Sequence, residues 1–330
     1  MRSREDGAVR DYSGPAEPRW HGSAAHDVVS TPRRRPTALT VRYLQVQSQS
    51  GQPIVVADSV SDHHAFSVVA LPGWKGTDLG LRAVLTPLVA NGYRTLTVNL
   101  PGNGVSQNSI TDQRASISSL SKLTIDVIES IVGRRPVVLL GHSFGATIAA
   151  AAAAQSSNVN LLGLILISPV ACVPSTKRVG LGGVLNRAAL SVAIKVLRGP
   201  MWTANIATGV RTLENVSNSM LARRGIGGMW HIRKNSLRER GFAPSPKDIA
   251  DQLTIAASNS CLDSASRITA PTVIIAGDRD PMSTAAEIDR LASTFGNCEV
   301  HLITGAGHLA HHEDRDCLSS LVLSSLLTIG

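Results

Sequence analysis

Aromatic side chains are scarce in this sequence. Four Trp, three Tyr and four Phe make up 3% of its 330 residues, so aliphatic side chains must fill most of any core. Cysteine is scarce too. Cys172, Cys261, Cys298 and Cys317 lie far apart and form no CxxC pair. That spacing argues against a disulfide framework or a cysteine zinc site and suits mostly buried thiols. No metal centre is expected. No stretch approaches about 18 uninterrupted apolar residues, so no membrane span is expected. The start, M-R-S-R-E-D-G-A-V-R, is polar, and no apolar signal-peptide core follows. Arg33-Arg34-Arg35 leads into P-T-A-L-T-V-R, too polar for a twin-arginine export signal. A cytoplasmic location is the expectation.

Hydrophobic residues amount to 43%, enough for a sizeable core. The length suits one α/β domain with an insertion. The net charge of +8 is unevenly spread. Between Cys172 and Ala250 there are 13 Lys and Arg against three acids, Glu214, Glu239 and Asp248, so this segment is strongly basic and the rest is near neutral.

Residues 1–36 are rich in Arg, Pro, Gly and Ser without apolar period, and read as a disordered tail. Then strands and helices alternate. Strands are expected at T-V-R-Y-L-Q-V, P-I-V-V-A-D, A-F-S-V-V-A-L, R-T-L-T-V-N-L, V-V-L-L, L-L-G-L-I-L-I, P-T-V-I-I-A and C-E-V-H-L-I-T. Helices are expected near 77–90, 114–132, 145–155, 283–295 and 312–328. This rhythm implies a mostly parallel eight-stranded sheet flanked by helices. It breaks between 172 and about 262, where helical segments and loops replace it. The core is thus expected at 37–171 and 263–330, with a helical insertion at 172–262, after the sixth strand.

The strand V-V-L-L runs directly into G-H-S-F-G. Parallel sheets place their chemistry at the carboxyl ends of strands. Ser143 stands at such an end, with a helix beginning immediately after it. Gly141 and Gly145 fit a turn where strand and helix come too close for side chains. The amide of Phe144, at the helix N-terminus, can face developing negative charge. A serine needs a base, and the base needs a carboxylate to fix its tautomer. G-D-R-D-P and G-A-G-H follow the last two strands, so the chain offers Ser143, Asp280 and His308 in that order.

These stretches, with L-P-G-W at 71–74, N-L-P-G-N-G-V-S at 99–106 and G-A-G-H-L-A-H-H-E-D at 305–314, resemble the α/β-hydrolase superfamily over about residues 38–328. The resemblance implies the α/β-hydrolase fold of the fold-1 type, carrying a helical cap. It implies Ser143 as nucleophile, His308 as base and Asp280 as acid. It places an oxyanion hole at the backbone amides of Trp74 and Phe144, and implies no cofactor. Two positions depart from the pattern. Pro72-Gly73 replaces the usual His-Gly, and Asn99 replaces the usual aspartate.

Other candidates compete. Asp278 could serve as the acid, but the family spacing favours Asp280. The place after the sixth strand reads S-P-V-A-C and offers no acid. His142 reads as a hydrogen-bonded structural residue. His311 and His312 lie close to His308 without the carboxylates of a metal site. His301 sits inside a strand and reads as packing.

The insertion falls where this superfamily carries a cap. V-L-N-R-A-A-L-S-V-A-I-K-V-L suits an amphipathic helix with Arg187, Lys195 and Arg198 toward solvent. The basic second half suits a solvated, charged lid surface, an anionic small-molecule substrate or an anionic membrane surface. No nucleic-acid-binding module accompanies the charge. The expected activity is hydrolysis of a carboxylic ester or related acyl compound. A lyase, a C–C hydrolase, a cofactor-free peroxidase and a non-catalytic receptor on the same fold are the alternatives. Serine at the elbow argues against epoxide and haloalkane hydrolysis.

Overall fold

Alternation along the central strands decides how the sheet is covered. The computed structural model describes residues 10–12, 40–49, 51, 53–59, 65–106, 115–173, 191–199 and 245–330. Its strands are β1 (Arg10–Tyr12), β2 (Arg42–Gln47), β3 (Pro53–Asp58), β4 (Ser67–Leu71), β5 (Arg94–Asn99), β6 (Val137–His142), β7 (Leu161–Ile167), β8 (Thr272–Gly277) and β9 (Cys298–Ile303). The sheet order is β1-β2-β3-β5-β4-β6-β7-β8-β9. Pairs from β5 to β9 are parallel, and β1, β2 and β3 join antiparallel at one edge.

The labelled helices are α1 (Asp78–Ala90), α2 (Ile117–Ile131), α3 (Phe144–Ala153), α4 (Pro246–Ser258), α5 (Leu262–Ala265), α6 (Ala285–Ala292), α7 (Ala310–Glu313) and α8 (Arg315–Ile329). Val69, Leu71, Leu139 and Leu166 point to one face and pack with residues of α2, α3 and α6. Val68, Ala70, Leu140 and Ile167 point to the other and pack with α1 and α8. The period of two along each strand thus builds two cores, one on each side of the sheet. Every residue of α3 is buried. Its five-alanine run lets the helix sit close to the sheet. Helix starts follow local chemistry. Ser116, Ser245 and Thr284 each form a capping box with the residue three places on.

The eight expected strands are all present, as β2 to β9, and the sheet gains a ninth. Arg10–Tyr12, within the expected tail, pairs antiparallel with β2. The exposed edge of β2 offers unpaired backbone groups, which any extended segment can meet. The rest of 1–36 lies outside the described residues. The expected last helix is two helices. Asp314 leaves helical geometry at φ −145° and caps α8 through Cys317 N. The cysteines are free, yet only Cys261 is fully buried, while Cys172 and Cys298 are partly exposed and Cys317 is exposed. Cys298, on the edge strand β9, packs against the margin of the core, while Cys317 lies in the solvated first turn of α8.

The insertion follows β7, the sixth of the expected strands. Its described residues are helical at 191–197 and in α4, without a strand. Arg187 and the basic stretch from 221 to 241 lie outside the described residues. Lys195 and Arg198 face solvent as expected, but so do Val192 and Val196, 59% and 37% exposed. Arg198 joins the two helical pieces through Asp251, 2.7 Å away. Among the described residues, no helix is long and apolar enough to cross a membrane.

Candidate active site

Backbone geometry at the end of β6 sets the site. Ser143 adopts φ 53°, ψ −117°, a left-handed φ that a residue with a side chain adopts at a cost. Its N–H donates to Ile167 O at 3.0 Å, and its carbonyl accepts from Ala146 N at 2.9 Å. Main-chain bonds therefore hold the strain. The hydroxyl is not used to cap α3. Both flanking glycines are required by contact. A Cβ at Gly141 would stand 2.5 Å from Ala146 Cα, and one at Gly145 would overlap the carbonyl oxygens of Leu71 and Pro72.

The hydroxyl of Ser143 lies 2.7 Å from His308 Nε2. His308 Nδ1–H donates to Asp280 Oδ2 at 2.8 Å. These bonds require the His308 tautomer with its proton on Nδ1 and a lone pair toward serine. The other carboxylate oxygen, Oδ1, accepts from Met282 N at 2.7 Å and Ser283 N at 3.4 Å. His308 is 4% exposed and Asp280 is buried with it. A Cβ at Gly277 would overlap the Ala306 carbonyl. The loops bearing Asp280 and His308 are therefore pressed together, and only glycine permits it.

Asp278, the rival acid, turns away. Its Oδ1 accepts from Gly305 N at 2.6 Å and braces the turn after β9. His301 lies in β9 with its side chain 28% exposed, and its Nε2 is 3.1 Å from Glu299 Oε1 on the same face. Residues two apart on a strand share a face, so an edge position brings these two side chains together in solvent.

The loop 72–76 runs over the elbow. A Cβ at Gly73 would lie 3.4 Å from Ser143 Cβ. Trp74 follows, with its indole Nε1–H donating to Ile249 O of α4 at 3.3 Å. Gly76 N closes a turn onto Gly73 O at 2.9 Å. Asn103 donates to Gly76 O at 3.1 Å, and Gln252 of α4 donates to Asn103 Oδ1 at 2.8 Å. Phe144 is the first residue of α3, so its N–H has no acceptor within the helix. At the first departure, Pro72 supplies only a carbonyl, which lies against Gly145. At the second, Asn99 Oδ1 accepts from Asp78 N at 3.1 Å. An asparagine oxygen performs that task as a carboxylate would.

Three histidines back the site. His142 Nε2–H donates to the His308 carbonyl at 3.3 Å. The His142 and His311 rings are 4.0 Å apart, and those of His311 and His312 3.9 Å. His311 Nδ1 is buried without a hydrogen-bond partner. Among the described residues, no group of three or more His, Cys, Asp or Glu is placed to hold a metal ion. Burial, then the neighbouring His308, pushes His142 down to about 3. Burial, then His312, holds His311 well below the usual range.

Both rings therefore stay neutral in the fold and take up protons near pH 6.5 once unfolded. The unfolded chain binds more protons below that pH, so stability must fall as pH drops from about 6.5 toward 3. Each ring contributes about 1.4 kcal/mol per pH unit once well below 6.5. Urea unfolding at pH 6 and pH 5 should show this decline, and His311→Leu should remove about half of the histidine part. An unchanged slope in that variant would refute the neutral assignment.

The sequence did not single out the bracing donors. The Met282 and Ser283 amides were legible in D-P-M-S, because aspartate accepts from backbone two residues on. The contacts of Ile249 and Gln252 had no local signal.

Fold and elbow together define a parallel-sheet α/β protein that presents a serine hydroxyl to a histidine. The chain belongs to the alpha/beta hydrolase family, whose model matches residues 68–317. It is 26% identical over 259 residues to the pimeloyl-[acyl-carrier protein] methyl ester esterase of Xanthomonas axonopodis pv. citri (strain 306), covering 74% of this chain and 88% of the relative. Its fold resembles a thermophilic esterase from Thermogutta terrifontis with TM-score 0.66 and 19% identity, over 87% of this chain and 98% of that one. The esterase EaEST from Exiguobacterium antarcticum superposes with TM-score 0.69 and 17% identity, over 85% and 98%.

Proposed function

We propose that this protein is a serine hydrolase that cleaves a carboxylic ester of a small acyl compound. The observation that carries the reading is the unbroken hydrogen-bonded run from Ser143 through His308 to Asp280. The Xanthomonas relative's description as a methyl ester esterase supports an ester substrate.

In the first half-reaction His308 Nε2 takes the serine proton as Oγ attacks the ester carbonyl. Asp280 stabilises the imidazolium that forms. The amides of Trp74 and Phe144 receive the oxyanion, and such a donor contributes on the order of 10²–10³ in rate. His308 then returns the proton to the leaving alcohol, giving an acyl-serine. Water activated by the same histidine releases the acid and restores Ser143. No cofactor enters these steps.

Lys75 supports an anionic substrate. It adopts φ 60° beside Trp74, and its Nζ lies 5.6 Å from the Trp74 ring centroid. No acidic side chain among the described residues pairs with it. Two peptide steps of about 3.8 Å separate it from Gly73 at the elbow, within reach of a carboxylate on the acyl chain.

The test is covalent labelling of the protein by a fluorophosphonate, followed by turnover of monomethyl adipate and methyl hexanoate. Labelling with turnover of either ester is the expected result, and a folded protein that neither labels nor turns over esters would overturn the reading. Lys75→Gly suits the left-handed backbone. It should lower the kcat/KM ratio of adipate over hexanoate monoester about tenfold, the size of one charge-assisted hydrogen bond. An unchanged ratio would remove Lys75 and the anionic preference from the proposal.

A further inference from the structure

His142 lies between the two halves of the reacting apparatus. Its Nε2–H holds the His308 carbonyl at 3.3 Å. Its Nδ1 faces Gly73, where an added Cβ would come within 2.8 Å. One buried ring thus touches the loop that carries the base and the loop that carries Trp74. The His311 ring lies tilted against it, with centroids 4.0 Å apart, and confines it from another side.

The His308 loop has other holds. Asp278 Oδ1 accepts from Gly305 N at 2.6 Å, Arg279 N donates to Ala306 O at 3.0 Å, Glu313 Oε1 accepts from Gly307 N at 3.1 Å, and Asp280 holds the His308 ring. None of them bonds the His308 carbonyl. A ring hung on a loop moves when the loop moves, and a misplacement of about 1 Å at a reacting group costs on the order of 10² in rate.

We propose that His142 is a positioning residue that sets His308 against Ser143 and keeps the base in register with the loop of Gly73 and Trp74. The proposal rests on the hydrolase reading above. The role needs a neutral donor, since a charge on His142 would oppose the imidazolium of His308. The groups facing His142 are His308, His311 and His312, and the carboxylate of Asp280 faces His308 on its far side. No carboxylate is among the groups that perturb His142.

His142→Leu removes the donor and keeps an apolar filler. His142→Gln puts a side-chain N–H near the place of Nε2. The leucine variant should lose 10- to 100-fold in kcat with KM changed less than about threefold, and its rate of fluorophosphonate labelling should fall in parallel. Glutamine should restore most of the loss. Thermal unfolding of both variants separates folding from positioning.

Equal losses in the two variants, or a folded leucine variant with wild-type kcat, would overturn the proposal. Wild-type protein that fails to label tests the hydrolase reading instead. Wild-type labelling with an unaffected leucine variant rejects the His142 role alone.

Discussion

Ser143→Ala is expected to abolish fluorophosphonate labelling and to lower ester turnover by about 10⁶-fold, the scale of losing a nucleophile from such a constellation. The variant should fold. Ser143 Oγ makes no cap to α3, and the bonds that hold the elbow, to Ile167 O and from Ala146 N, are main-chain bonds. Alanine meets the same left-handed cost at φ 53° as serine does. The melting temperature should therefore stay within a few degrees of wild type. Intact-mass measurement after labelling checks the first point and calorimetry the second. A labelled Ser143→Ala protein would mean that another serine is the activated one.

Asp280→Asn is expected to cost on the order of 10⁴ in kcat. The reason lies in the second set of donors. Oδ1 of Asp280 accepts from the Met282 and Ser283 amides. In the variant the amide oxygen must take that place, because an NH₂ cannot accept. The NH₂ then faces His308 Nδ1 and forces the proton onto Nε2, where the base needs a lone pair. Asp278→Asn supplies the contrast. Among the described residues Asp278 accepts from Gly305 N, and asparagine can accept there too, so the loss should stay below about tenfold. Parallel kinetics on the two variants decides the assignment. Similar losses would show that the two acids had not been told apart.

Much of this was legible residue by residue. V-V-L-L-G-H-S-F-G carried both a buried strand and the glycines that a tight elbow needs. Gly141 and Gly145 meet backbone where a Cβ would stand. The order Ser143, Asp280, His308, each after its own strand, followed from one local pattern used three times. Other features lacked a local cause. Arg10–Tyr12 has no apolar period, and it becomes a strand only because β2 presents an open edge. Asp314 read as part of a continuous helix until its side chain was seen capping α8.

The sequence by itself determined the alternation of strands and helices, the elbow, and that Ser143, His308 and the pair Asp278 and Asp280 stand at strand ends. These are local properties, set by side-chain period, glycine sterics and capping chemistry. The tertiary structure alone decided which aspartate faces His308 and that His142 touches the loops of both His308 and Gly73. Asp278 and Asp280 are two residues apart, and the packing of β8 against β9 turns one toward Gly305 and the other toward His308. His142 and His308 are separated by 166 residues. No spacing rule relates residues so distant, and the parallel sheet brings them together by ending both of their strands on the same side.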